Sequence, residues 1–442
     1  MMNYKFMIAV LLISGQTLSF GQNGQVRHLS LPEALKLAQE QNYQVLIARS
    51  EVEQARGQNL ESWQGFLPSV TISENYVKSN DPVTVFGLKL KQGVFAQSDF
   101  DLTALNDPNA FDNFTTVFQV QQPLINLDAV YGKSAARAGV KAREQALQRA
   151  KEAAALQVKK AYYGLILSRK HLKAVEQAVT SARAHRDDAR AAFEQGMINQ
   201  ADYLAAQVRL AELQEQRINA EHQIANASDG LKFVLGISDD AEIVPTDSLN
   251  QPTTIQFGEE TPARLSQRSD LRALRLQSQA ASRQLWMQRS NWLPRLNAFA
   301  ALEWNAADAF KNRASNWAVG LQLQWKLFEG LGKLGRSKQA AAKTQTVQVQ
   351  LRRGEERARL EVRRAQRALK SAAERVQVAQ SAVNMAQESL RIAEERFQQG
   401  LEKTSGLLDK EVALTNARLR FLTAQRDYSV AVSELQFAMG EE

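Results

Sequence analysis

The chain has 442 residues, enough for two or three ordinary domains, and carries a net charge of +8. It contains no cysteine, which excludes disulfides and cysteine-ligated metals, and its four histidines lack the i,i+4 pairing that binds a metal. Lys and Arg are interleaved with Glu, a pattern typical of solvated helix faces that argues against nucleic acid as a partner. No nucleophile elbow, phosphate-binding glycine loop or metal-ligand spacing is present, so we expect no enzyme, metal or cofactor.

Residues 1–21 are similar to a secretory signal peptide. A lysine near the start precedes an apolar run, and the small residues Ser19 and Gly21 fit a cut before Gln22. An N-terminal membrane anchor is the alternative, although the run is short for a span. No later run approaches the roughly 18 apolar residues of a membrane helix. If the mature protein enters a membrane, we therefore expect a closed β-barrel, because open sheet edges are costly in lipid.

The first half of the mature chain alternates between helical and strand-like periodicity. A capping sequence at Ser30 indicates a helix start, and Gly196 and Gly236 are expected to end two later helices. Residues 66–125 change to period-2 alternation and include the segment 80–113, which we expect to be a long acidic loop. The predicted elements are a helix over 31–64, a β-hairpin over 66–125, a long helix over 126–195 and a helix over 198–235.

After a polar connector over 237–261, the same order of elements starts again. Phe66-Leu67-Pro68 returns as Trp292-Leu293-Pro294, and Phe-x-x-Gly at Gly196 returns at Gly400. Because these anchors recur in order and at matched spacing, we predict two internal repeats, over 22–236 and 262–440. The second repeat is predicted to contain a helix over 262–291, a β-hairpin over 292–328, a long helix over 330–399 and a helix over 402–439.

The stretch from Trp317 to Trp325 alternates strictly between an apolar and a polar face. Its nine residues match the roughly 9–11 that a membrane-spanning strand needs. Aromatic residues at strand ends are typical of outer membrane strands, so Trp304, Trp317 and Trp325 are predicted membrane-interface anchors that contact lipid. A strand in a soluble sandwich, with its tryptophans in a dry core, is the alternative.

The strand count predicts that several chains assemble. Each chain supplies four strands, whereas spanning barrels start at about eight, so two or more chains must share one barrel. In each repeat, the summed length of the two shorter helices matches the length of the long helix. This is expected of a tall helical cylinder in which two short helices, stacked end to end, stand beside each long one. We therefore predict an α+β membrane protein: a long antiparallel α-helical coiled-coil barrel plus a shared transmembrane β-barrel. Either a dimer or a trimer satisfies this geometry.

The chain resembles the TolC family of outer membrane efflux proteins over essentially its whole mature length. Besides the repeated motifs, Gln122-Pro123-Leu124 follows a strand, and Arg268-Ser269-Asp270-Leu271 is similar to the family's Arg-Pro-Asp-Leu. The resemblance implies a homotrimer with a 12-stranded barrel in the outer membrane and a helical tunnel in the periplasm. It also implies a periplasmic adaptor and an inner membrane pump as partners, in efflux or type I secretion.

The resemblance also implies where a periplasmic gate lies. Asp409 matches an aspartate that rings the family's constriction, and Gly406 stands where a second aspartate is usual. Asp202 matches an aspartate of the first helix turn. The basic partner of that aspartate is replaced by Glu402, and Lys403 is the candidate substitute.

The two helix turns, at Gly196 and Gly400, are expected to be the tips that dock the adaptor. The alternative function is a periplasmic coiled-coil adaptor or scaffold. It would explain the long helices but not the alternating strands between tryptophans. The transported substrate is not encoded in any motif of the sequence.

Overall fold

A computed structural model describes residues 26–238, 241–249, 265–311 and 313–441 of the chain. The predicted signal peptide and much of the predicted connector lie outside the described residues. The helices are α1 (Leu31–Gln41), α2 (Tyr43–Glu61), α3 (Pro82–Gln92), α4 (Leu102–Asn106), α5 (Leu127–Glu194), α6 (Gln200–Leu235), α7 (Ser269–Ser290), α8 (Gly332–Gln398) and α9 (Thr404–Met439). The strands are β1 (Val26–Leu29), β2 (Ser69–Ser79), β3 (Phe111–Ile125), β4 (Glu242–Pro245), β5 (Arg295–Ala306) and β6 (Ala314–Gln324).

The two long helices, α5 and α8, set the height of the molecule. They contain 68 and 67 residues, so each is about 100 Å long at ~1.5 Å per residue. Their ends lie within two residues of the predicted bounds. Both are free of proline, and each stops at a turn that contains glycine, so neither meets an interruption along its length.

The helices form one layer. On one side α5 packs against α2 and α6, and on the other side against α7 and α9. α8 packs against α7 and α9. The shorter helices therefore stand as stacked pairs, α2 with α6 and α7 with α9, beside each long helix. The outer flanks of α8 and of the α2–α6 pair have no helix beyond them in the described chain.

The predicted single helix over 31–64 is wrong, because the chain breaks at Asn42. The side chain of Asn42 accepts hydrogen bonds from the backbone N–H groups of Gln44 and Val45, and so caps α2. Its amide also donates to the carbonyl of Val234, 2.7 Å away at the end of α6. A Cβ added to Gly236 would lie 2.2 Å from the carbonyl oxygen of Gln41, so the end of α6 is seated directly on this break.

The predicted acidic loop over 80–113 is also wrong, because it contains the helices α3 and α4. Asp81 and Asp101 are the N-caps of these helices. The carboxylate of Asp81 accepts the backbone N–H of Thr84 at 2.8 Å, and that of Asp101 accepts the N–H groups of the residues that follow it. The aspartates therefore start helices instead of marking a loop.

The strands form two separate sheets. The larger is antiparallel, in the order β2-β3-β5-β6, and stands at one end of the helix layer. We call the end of this sheet next to the helices proximal and the other end distal. The smaller sheet, β1 paired in parallel with β4, was not predicted. It packs with α1, α5 and α6 around a core that contains Tyr162, Leu231 and Ile243, near the middle of α5.

Candidate functional site

The larger sheet has two chemically unlike faces. Its register aligns Ile72, Phe118, Leu302 and Trp317 in one row across all four strands. The next row toward the helices contains Val70, Val120, Ala300 and Val319. The opposite face contains Thr71, Ser73, Gln119, Asn297, Glu303, Asn316 and Gln322. We call these the apolar face and the polar face.

The part of the apolar face that β6 contributes is not covered by any other part of the described chain. Trp317, Val319, Leu321 and Leu323 of β6 are each 67–77% exposed. A contiguous exposed apolar surface of this kind marks a site of contact with a partner or a membrane. The sheet therefore does not pack into a sandwich within the described part of the chain.

The three predicted anchor tryptophans all belong to the apolar face or continue it. Trp304 lies in the distal row with Glu74, Thr116 and Ser315, and Trp317 lies one row nearer the helices. Trp325 follows β6 at the proximal end, where its indole N–H donates to the carbonyl of Trp292 at 3.0 Å. From Trp317 to Trp325 the strand rises about 27 Å at ~3.4 Å per residue. At the ~35–45° tilt of strands in outer membrane barrels, this length covers about 20 Å along the membrane normal, which is most of the roughly 25 Å apolar band.

Two buried lysines beneath tryptophans mark the proximal boundary, and they were missed in the sequence. The ammonium of Lys133 lies 4.1 Å from the centre of the Trp63 ring, and that of Lys333 lies 5.4 Å from Trp292. Both lysines are less than 9% exposed, and each stands in the first two turns of a long helix. The two lysines lie at different positions of their helices, six residues and one residue after the helix start, so no repeated sequence signal marks them.

The two helix turns at the far end of the layer share one backbone geometry. Gly196 and Gly400 have φ values of 74° and 70°. At each turn, the residue after the glycine donates its N–H to a carbonyl five residues earlier, which closes the end of the long helix. Nothing lies within 4 Å of a Cβ added at either glycine. The turns are therefore exposed tips. Glycine is favoured there because of the positive φ, and not because a side chain would clash with a neighbour.

The four predicted gate residues surround these tips but form no lock within the chain. Glu402 pairs across its own turn with Arg396 at 3.7 Å. Within the described residues, Asp202, Lys403 and Asp409 form no salt bridge, and Asp409 is exposed. Asp202 stands in the first turn of α6, where a carboxylate is stabilised by the helix dipole. Their role as a gate stays a prediction.

One cross-helix ion pair above the tips was missed in the sequence. His185 Nε2 of α5 lies 2.7 Å from a carboxylate oxygen of Glu411 in α9. The hydrogen bond that His185 donates to Glu411 raises the pKa of His185, burial opposes this rise, and the charges of Glu411, Asp188 and Glu394 add to it. This pair joins the first-half hairpin to the second. No sequence pattern relates residues so far apart, so only the fold reveals it.

The Arg268-Ser269-Asp270-Leu271 motif joins several helices at the start of α7. The guanidinium of Arg268 is 2.7 Å from Asp270, 2.8 Å from Glu361 of α8 and 2.9 Å from the carbonyl of Ala438 in α9. Ser269, which replaces the family's proline, donates to Glu152 of α5 at 2.6 Å. The motif is therefore a structural junction and not part of the tip.

The comparison with protein families decides what kind of chain this is. A family model described as outer membrane efflux protein matches residues 34–237 and 262–441. The chain belongs to the outer membrane efflux protein family. The family resemblance inferred from the motifs is thereby confirmed, and so is the location: the outer membrane, with the helical part in the periplasm.

Solved structures of a membrane protein and of outer membrane channels have the same fold. A membrane protein from Pseudomonas aeruginosa is 18% identical, with a TM-score of 0.80 and 93% of each chain covered. The CmeC outer membrane channel of Campylobacter jejuni is 18% identical, with a TM-score of 0.78, 93% of this chain and 85% of CmeC covered. The open state of the Neisseria gonorrhoeae MtrE outer membrane channel is 17% identical, with a TM-score of 0.74, 93% of this chain and 89% of MtrE covered.

A comparison with curated proteins found no sequence relative. Among the described residues, no helix combines the length and the apolar character that a membrane span requires.

Proposed function

We propose that this chain is the outer membrane exit duct of a tripartite efflux pump or of a type I secretion system. It works as a homotrimer with a periplasmic adaptor and an inner membrane pump, and it passes small molecules or proteins to the exterior. The observation that carries this proposal is the four-stranded sheet with one bare apolar face and one polar face, mounted on a helix layer about 100 Å tall.

The polar face is the wall of the duct. An outer membrane barrel turns apolar side chains to lipid and polar side chains to a water-filled interior. The apolar face is bare and bounded at both ends by tryptophans, so it suits lipid. Thr71, Gln119 and Asn297 on the other face suit water.

Copies of the chain close the barrel. β2 and β6 are the two edges of the sheet, and each leaves a row of backbone groups without a strand partner in the described chain. In lipid such edges must pair, so β6 of one copy meets β2 of the next. Three copies give twelve strands. The free flanks of α8 and of the α2–α6 pair meet in the same way, which closes a tunnel of helices below the barrel.

The tips are both the docking surface and the gate. Around a three-fold axis, three copies of Asp409 face each other next to the turn at Gly400. Like charges brought together attract cations. Three acidic groups at the tips therefore favour cations over anions. The chemistry is passage and not bond breaking, so the duct draws its energy from the pump.

The test of this proposal joins the tips chemically. Met197 and Leu401 flank the two glycines and are 70% and 64% exposed, and the chain has no native cysteine. In the Met197→Cys/Leu401→Cys variant, a reversible thiosulfonate cross-linker should join neighbouring tips and stop export of a fluorescent dye from cells. A thiol reductant should restore it.

The two single-cysteine variants are the matched controls, since each carries the same reagent without a link to the neighbouring turn. Heat-sensitive trimer migration and stepwise conductance of the purified protein are expected alongside. Export that continues with the cross-link formed, or a protein that gives no channel in planar bilayers, would overturn the proposal.

A further inference from the structure

The segment between β2 and β3 is a small folded unit, which we call the cap (residues 82–106). α3 and α4 begin at their aspartate caps, and Phe95 packs edge-on against Phe86 and Phe100, with ring centres 4.9 and 5.2 Å away. Val85 of α3 is 3% exposed. Lys89 binds Asp99 at 2.8 Å and ties α3 to the turn that follows it. The cap is therefore held together by aromatic contacts and an ion pair of its own.

The cap is attached to the polar face of the sheet. Lys91 at the end of α3 binds Glu303 of β5 at 2.9 Å. The neighbouring Gln92 donates to the side-chain oxygen of Asn113 at 2.8 Å, and Asn113 donates to Asn305 at 2.9 Å. Asn305 in turn donates to Glu303 at 2.8 Å, which closes a ring of hydrogen bonds.

This attachment is tight. Gln92, Asn113 and Asn305 are each at most 1% exposed. A Cβ added to Gly93, just after α3, would lie 3.8 Å from that of Ala314 at the start of β6. Buried polar side chains that all find partners hold one arrangement, because leaving any of them unpaired costs free energy. The cap is therefore a fixed part of the distal end of the sheet.

The cap is attached to the polar face of the sheet and not to the apolar face. Glu303, Asn305 and Asn113 alternate with the apolar side chains and so belong to the polar face. If the polar face lines the duct, the cap stands inside the duct's outer mouth instead of extending away from the membrane. We propose that the cap narrows the outer mouth and limits the size of the solutes that pass. This inference rests on the proposed function.

The first test removes the cap. Ser79 pairs with Phe111 across the hairpin, so replacing residues 80–110 by Asn-Gly leaves a two-residue turn that fits both strands. In planar bilayers we expect the single-channel conductance to rise about twofold or more, because three helices each about 10 Å wide no longer occupy the mouth. Unchanged conductance would overturn the proposal.

The second test keeps the fold intact. Val83 is 80% exposed on α3, and Val319 is 69% exposed on the apolar face of β6. In Val83→Cys, a bulky charged thiosulfonate added from the distal side should reduce the conductance of open channels. In the matched control Val319→Cys it should have no effect. A current that the reagent leaves unchanged at Val83 would place the cap outside the pathway.

The two tests separate this inference from the proposed function. A wild-type protein that forms no channel contradicts the duct itself. A wild-type protein that conducts, together with an equally conducting capless variant and an insensitive Val83→Cys, contradicts the cap alone.

Discussion

Replacing Arg268 by methionine should destabilise the helical part more than any exposed charge substitution. Arg268 is 2% exposed and bonds to Asp270, Glu361 and the carbonyl of Ala438. Methionine keeps much of the volume but removes the buried guanidinium that these three oxygens share. Breaking a buried ion pair in this way costs about 3–5 kcal/mol. We expect the free energy of unfolding of Arg268→Met to fall by that amount.

The matched control is Arg357, which binds the other oxygen of the same carboxylate. Its guanidinium lies 2.8 Å from Glu361, but its side chain is 75% exposed. An exposed pair contributes about 0–1 kcal/mol, so Arg357→Met should change the free energy of unfolding little. Both variants remove one positive charge from Glu361, and they differ in burial and in the further bonds of Arg268 to Asp270 and Ala438.

The assay is urea unfolding in detergent, followed by circular dichroism at the helical band. Burial raises the pKa of Asp270, but the hydrogen bond from Arg268 and the charge of Arg149 lower it more, so its net pKa is below the ordinary value. A lowered carboxyl pKa gives stability that is present above the unfolded pKa and lost as pH falls through the folded one. The difference between wild type and Arg268→Met should therefore shrink below about pH 4.

Equal losses in Arg268→Met and Arg357→Met would refute the reasoning, since burial would then not decide the cost. A difference that persists at acidic pH would refute the assignment to charge. It would point instead to the packing of the methionine, next to a Gly440 whose added Cβ would lie 3.0 Å from Arg268 Cγ.

Three further predictions concern the tips and the helices that lead to them. Glu411 raises the pKa of His185. Their bond therefore stabilises the fold below the unfolded pKa of the histidine and weakens as pH rises through its folded pKa. The urea midpoint of the wild type should fall over this pH range, and that of His185→Gln should not. Gly400→Ala should lower the free energy of unfolding by about 1–2 kcal/mol, because the φ of Gly400 is 70°. Gly139→Ala, inside α5 with open space around it, should raise the free energy of unfolding by up to about 1 kcal/mol in the same assay. Asp409→Ala should reduce cation preference in reversal-potential measurements without loss of the trimer, and unchanged selectivity would remove Asp409 from the constriction.

The long elements could be predicted because each has a strong local period. α5 and α8 are proline-free, and their glycine ends are visible in the sequence. The break at Asn42 could not be predicted from periodicity, because apolar spacing continues on both sides of it. The break is favoured by the hydrogen bond from the Asn42 amide to the carbonyl of Val234, which lies in a distant part of the chain.

The helices of the cap were missed for a different reason. Asp81 precedes Pro82, which is a good signature of an N-cap followed by the first helical residue. The aspartates of this segment were interpreted as charges of a loop, so the N-cap signal at Asp81 was missed. β1 and β4 were missed because a strand of four residues has too few alternations to stand out.

The candidate site also contains both features that the sequence predicts and features that it does not. The face of β6 could be predicted, because a strand that is apolar on one side carries its environment in its own alternation. The pairing of His185 with Glu411 and the ring around Gln92 depend on the packing of distant segments, so no local pattern encodes them. The family resemblance indicated which residues flank the tips, but not their partners.

The unshared edges of the sheet and of the helix layer have a consequence for biogenesis. A newly exported copy would present two open strand edges, β2 and β6, and a bare apolar face to the aqueous periplasm at the same time. Such surfaces promote misassembly while a protein waits to complete its fold. Folding, joining with sister copies and entry into the bilayer are therefore steps that the cell has to couple, and a chaperone that shields the sheet is the kind of helper this architecture demands.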